Sequence, residues 1–142
     1  MKKYIGTKEI SAEPMHEISA ANKGLARPND DNHPWRDGYH VQYTNPDGTV
    51  YDSWSPKDVF EQSYKLADTF LDRLRIERDE LHDRYVKAKN YLSSPLAEKQ
   101  LTPREKGSLA AQVEFMRQYL LCVEERIKYA IEKLNDKKDI SE

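Results

Sequence analysis

The sequence predicts an α+β fold: a small N-terminal antiparallel β-sheet of about three strands, then a long antiparallel helical hairpin that oligomerises. Three observations predict it. Apolar residues recur at alternating steps of four and three over two long stretches between residues 55 and 134, the signature of helices packed side by side. A β-hairpin pattern with its own turn chemistry precedes them. The second helical stretch carries two adjacent stripes, a face wider than one antiparallel partner can cover.

Taken in order, residues 4–13 alternate well enough for a first strand, ended by Pro14. Residues 15–38 are polar, with Pro28, Pro34 and the run from Asn29 to Asn32, and form a loop with one short helical turn near residues 18–22. Residues 39–54 give the clearest β signal. Tyr39, Val41 and Tyr43 alternate with His40, Gln42 and Thr44, and Asn45-Pro46-Asp47-Gly48 supplies a turn in which Pro46 presets φ and Gly48 takes the left-handed conformation. Three strands need a helix to cover one face. Ser55 as N-cap, Pro56 at N1 and Asp58 at N3 start that helix at once.

From Pro56 to Leu92 there is no Gly or Pro. One unbroken helix, or two separated near residues 67–69, both satisfy the pattern. Phe60, Tyr64, Ala67, Leu71, Leu74, Arg78, Leu81, Tyr85, Ala88 and Leu92 form the seam, with Arg78 its one polar member. Ser93-Ser94-Pro95 ends the first arm, residues 96–101 connect, and Thr102-Pro103-Arg104-Glu105 makes a capping box for the second. There Leu109, Val113, Met116, Leu120, Val123, Ile127, Ala130 and Leu134 repeat the seam without a break. The expected organisation is a β module with its covering helix over residues 1–66, the hairpin over 67–134, and a charged, frayed tail over 135–142.

Composition narrows the function. Of 142 residues, 34% are charged and 37% hydrophobic, which suits elongated helices with much surface. The net charge of −2 lacks the basic excess of a nucleic-acid polymer binder. Five glycines argue against a glycine-rich phosphate loop, and the one cysteine, Cys122, excludes an internal disulfide or a cysteine zinc cluster. The first residues lack the apolar run of a signal peptide, and no stretch nears the ~20 apolar residues of a membrane span, so a cytosolic protein with no membrane contact is expected. His16, His33, His40 and His82 show no metal-ligand spacing, and no Ser, Thr or Cys sits in a nucleophile motif. Neither catalytic residue, metal nor cofactor is expected, and no internal repeat is visible.

The second stripe, Ser108, Gln112, Phe115, Tyr119, Cys122, Arg126 and Tyr129, would leave three aromatics in water unless copies of the chain pack together or the N-terminal sheet covers the stripe. A guanidinium in an apolar face needs a partner. For Arg78, Arg117 and Arg126 that partner is a Glu on a neighbouring helix or a phosphate held between subunits. Tyr85, Tyr91, Phe115, Tyr119 and Tyr129 either fill core or stack a base.

Two parts of the chain carry a resemblance. MKKYIGTKEISAEPM and GYHVQYTNPDGTVYDSWSPKDVFEQSY resemble a small β module common in phage-encoded proteins. LTPREKGSLAAQVEFMRQYLLCVEERI is similar to the helical hairpin shared by the phage Thoeris anti-defence protein of the first type and the anti-CBASS protein of the second type, through its Leu-Thr start, Gln112, Met116 and Tyr119, and then Arg126-Ile127. The order of modules fits the Thoeris type. The resemblance implies a sponge in the host cytoplasm that holds an immune signalling nucleotide without cleaving it. The implied ligands are glycocyclic ADP-ribose and, in separate pockets, cyclic di- or trinucleotides, bound at interfaces of a dimer or hexamer. It gives Arg117 and Arg126 to phosphate and Tyr91 and Tyr119 to stacking, with Asn90 and Arg104 at the hairpin loop as further contacts, and it allows an anion at the helix start after Thr102. The competing expectation is an assembly protein with no small-molecule ligand, its arginines paired to Glu114, Glu124 or Glu125. An enzyme that degrades the signal is a third.

Overall fold

The computed structural model describes residues 1–141. Glu142, the end of the expected tail, lies outside them. The chain divides into two compact units, Met1–Lys65 and Leu66–Glu142.

The first unit is built on an antiparallel sheet of order β1-β2-β3, from β1 (Ser11–Pro14), β2 (Gly38–Thr44) and β3 (Val50–Pro56). Ser11 faces Gln42, and Tyr43 faces Tyr51 with their rings stacked at 4.8 Å. The turn forms as its residues dictate: the Gly48 amide donates to the Asn45 carbonyl at 2.9 Å, and Gly48 has φ 87°. Gly38 has a different reason. A Cβ there would collide with the Ser55 carbonyl and the Trp54 ring.

β1 is much shorter than its alternation predicts. Residues 4–10 stay outside the sheet, and Tyr4 and Ile5 are exposed. The length of the partner accounts for most of this: with Ser11 opposite Gln42, Thr44 at the end of β2 stands level with Glu9, so residues 4–8 have no strand to pair with. The expected turn in the loop is α1 (Glu17–Asn22), capped by His16, whose Nδ1 accepts from the Ile18 amide. α2 (Lys57–Ser63) covers the sheet by laying Phe60 on Tyr39 at 4.1 Å, with Tyr64 stacked on Phe60 in turn. Its N-cap is Pro56 rather than Ser55, because β3 runs on through Pro56, opposite Gly38, and the helix starts only after it.

Val41, Ala20 and Glu17 are the buried residues at the heart of this unit besides Gly38. Glu17 is 2% exposed. Its carboxylate accepts from the Arg36 amide and guanidinium and faces His33 Nε2 at 2.9 Å, while His33 Nδ1 meets Asp31. A buried carboxylate survives only with such satisfaction. The Arg36 hydrogen bond, first among several, holds Glu17 down at about 2.

The second unit is the hairpin. The stretch from Pro56 to Leu92 is not one helix: α2 stops at Ser63 and α3 (Phe70–Leu92) begins after an N-cap at Thr69. Thr69 and Asp72 form a reciprocal capping box. α3 ends at Ser93, and Ser94 caps α4 (Pro95–Gln100), a short helix where the sequence suggested only a connector. Thr102 and Glu105 then exchange backbone-to-side-chain bonds to start α5 (Pro103–Ser141). α5 stays helical past Leu134, through residues expected to fray. The hairpin core is Leu74, Leu81, Leu120, Val123 and Ile127, flanked by Leu71, Tyr85, Met116 and Ala130. Every one is a seam position of the heptad reading.

Candidate functional site

The second stripe of α5 is exposed along its whole length, from Ser108 and Gln112 through Phe115, Tyr119 and Cys122 to Arg126 and Tyr129. Phe115 is 69% exposed. Where the stripe meets α3, a groove of about 480 Å³ is lined by Leu81, Ser108, Gln112, Phe115, Met116 and Tyr119. Gln112, Met116 and Tyr119 share this wall because steps of four and three return to one side of a helix.

Two contacts tie the stripe to α3. The Tyr119 hydroxyl donates to the Glu77 carboxylate, and the Arg126 guanidinium lies over the Phe70 ring, 5.8 Å from its centroid. Tyr119 and Arg126 are seven residues apart, almost two full turns, so they share a face about 10 Å apart. No carboxylate bond or ion pair to Arg126 is seen among the described residues.

The other predicted residues lie elsewhere. Arg117 is two residues before Tyr119, and at 100° per residue it faces nearly the opposite way. There it is held by Glu114 through two hydrogen bonds, of 3.0 and 2.7 Å. The Arg117 hydrogen bond drops the Glu114 carboxyl to about 2, and the Glu114 carboxylate pushes Arg117 up in return. Both side chains are about half exposed, so solvent screens the pair. Asn90 and Tyr91 sit at the end of α3, with the Tyr91 hydroxyl donating to Gln100 of α4 at 2.7 Å. Arg104 is exposed in the first turn of α5. From Arg104 to Arg126 is about 33 Å of helix at 1.5 Å per residue. One chain therefore does not bring the six predicted residues together.

The helix start after Thr102 is also taken. The Glu105 carboxylate faces both the Thr102 amide and its hydroxyl, so negative charge already sits where an anion would bind. The loop histidines do not converge either: His33 is held by Asp31 and Glu17, and His40 by Asp52 at 2.7 Å and Glu13 at 3.2 Å. No group of three or more His, Cys, Asp or Glu side chains suited to a metal ion occurs among the described residues. No described helix is long and apolar enough to cross a membrane.

Phe70 and Glu77 were not legible as site residues. Phe70 follows the N-cap Thr69 and lies one step off the seam, so only the capping box Thr69-Phe70-Leu71-Asp72 would have marked it as the exposed start of a helix.

No curated protein and no solved structure matches this sequence. A family model does, over residues 68–129, which span the cap of α3 through the Arg126 region of α5. That match supports a sequestering, anti-defence binding role rather than an enzymatic one, and toward a small signalling molecule. The matched family is Sequestin, to which the helical hairpin of this chain is similar.

Proposed function

We propose that this protein is a phage counter-defence sponge that binds a host immune signalling nucleotide in the host cytoplasm and holds it uncleaved. The observation that carries the reading is the exposed stripe of α5, where Arg126 has no carboxylate partner among the described residues and shares a face with Tyr119, inside the segment matched to Sequestin. A guanidinium for a phosphate beside an aromatic ring for a base is what a small cyclic nucleotide requires. No group placed for bond cleavage is needed.

The site is completed between copies of the chain, as a dimer or hexamer. Copies packed along the stripe cover Phe115, Tyr119 and Tyr129 and bring the loop-end Asn90, Tyr91 and Arg104 of one chain toward the stripe of another. Arg117 joins a phosphate only by exchanging Glu114 for it. The preferred ligand is glycocyclic ADP-ribose, with cyclic di- or trinucleotides in separate pockets.

Calorimetric titration with glycocyclic ADP-ribose, then heat release and assay of the ligand, tests this. Tight binding with intact ligand recovered is expected. Altered ligand would make the protein an enzyme. A second reading, an assembly protein without a nucleotide, is favoured by the Arg117–Glu114 pair, which already satisfies one predicted phosphate contact internally. It predicts no heat with any cyclic nucleotide.

A further inference from the structure

The geometry points to Phe70 as a base-stacking contact of the nucleotide site, acting with Arg126 from across the hairpin; this rests on the sponge reading above. Phe70 is the first residue of α3 and 54% exposed. It does not join the hairpin core, because Leu71 and Leu74 take the seam positions beside it. What it has instead is Arg126 over its ring.

Three of the tyrosine candidates are engaged through their hydroxyls. Tyr91 spends its hydroxyl on Gln100, Tyr129 on Glu125 and Tyr119 on Glu77. Phe70, like Phe115, has no polar atom to place and can use only its π surface, and of these two it is Phe70 that carries a guanidinium on its ring. A guanidinium over a phenyl ring keeps its in-plane N–H edge free, since the attraction uses its face. The two side chains thus offer complementary things side by side. The Arg126 edge can take a phosphate in bidentate fashion, while the ring surface that Arg126 leaves open can take a planar base. Arg117 and Arg78 cannot do this as they stand, because Glu114 and Asp79 already bond their guanidinium edges. The consequence is a site that draws on both arms of the hairpin rather than on α5 alone.

The test compares Phe70→Leu and Phe70→Trp with the unaltered protein, using glycocyclic ADP-ribose as probe and inorganic pyrophosphate as a phosphate-only control. Leu keeps apolar bulk at the helix start but has no π face. Phe70→Leu should lose about ten- to a hundredfold in affinity with an unchanged melting curve, and Phe70→Trp should retain binding. In the Trp variant the nucleotide should quench emission beyond any change seen in the unaltered protein, while pyrophosphate should not. If the unaltered protein binds and Phe70→Leu binds equally well, without extra quenching in Phe70→Trp, the Phe70 contact is wrong and the sponge reading stands. If the unaltered protein binds no nucleotide, the sponge reading falls and the Phe70 contact with it.

Discussion

The Tyr119 hydroxyl on α5 donates to the Glu77 carboxylate on α3. Seven residues along α5 and seven back along α3, Arg126 meets Phe70, so the two arms run antiparallel in step and present a mixed face of ring, guanidinium and carboxylate. Tyr119 is 47% exposed, so its hydrogen bond is partly screened and contributes about 1 kcal/mol at most. Tyr119→Phe should therefore melt almost as the parent does and still bind nucleotide. Tyr119→Ala should lose about tenfold or more in affinity with the stacking surface. Equal binding by both variants in calorimetry would remove Tyr119 from the site.

The two central arginines of α5 separate by their partners. Arg126→Ala should abolish nucleotide binding while the helical circular dichroism stays unchanged. Arg117→Ala should weaken binding far less, because its guanidinium is already bonded to Glu114. The reverse ranking would move the site to the opposite side of α5.

Seam and stripe should fail in different assays. Leu120 is 8% exposed within the core, so Leu120→Ala should cost about 2–5 kcal/mol in denaturant unfolding. Phe115 is exposed in the single chain, so Phe115→Lys should leave that stability nearly unchanged but lower the mass in sedimentation toward one chain of 16.6 kDa. A parent protein that sediments as a single chain would rule out the assembly proposed for the stripe.

The first unit should show a bell in its stability against pH. His33 is raised above its ordinary 6.5 by its hydrogen bond to Asp31 and then to Glu17, and His40 by Asp52 and then Glu13. Raised histidines stabilise the fold fully below 6.5 and lose that contribution as pH climbs through their folded values. Glu17 is lowered from 4.5 to about 2, chiefly by Arg36, so its contribution is full above 4.5 and is lost as pH falls toward 2. Thermal melts should peak between about pH 4.5 and 6.5. His33→Gln should flatten the alkaline side, and a parent curve that rises from pH 6 to 8 would contradict the clamp.

Much of the hairpin was readable because its signals are local or periodic. The seam from Leu71 to Ala130 needs only the heptad rule, and Thr102 with Glu105 needs only three residues of spacing. The break before α3 escaped a decision because Phe60, Tyr64 and Ala67 continue the same spacing without a Gly or Pro. The aromatic pair belongs instead to the sheet, where Phe60 lies on Tyr39. The length of β1 escaped too, since alternation along one strand does not show where its partner ends.

Local and periodic signals were enough for the elements whose cause lies within a few residues or one repeat: the Asn45–Gly48 turn, the Thr102–Glu105 cap, the two helical arms and the face each turns inward. What meets across those elements was settled by packing. It placed the Glu17 carboxylate out of water between Arg36 and His33, and it laid Arg126 on Phe70 while leaving Arg117 to Glu114. The physical reason is that periodicity sets which side of a helix a residue occupies but not which distant side chain arrives there. A buried charge or an arginine takes its role from that partner.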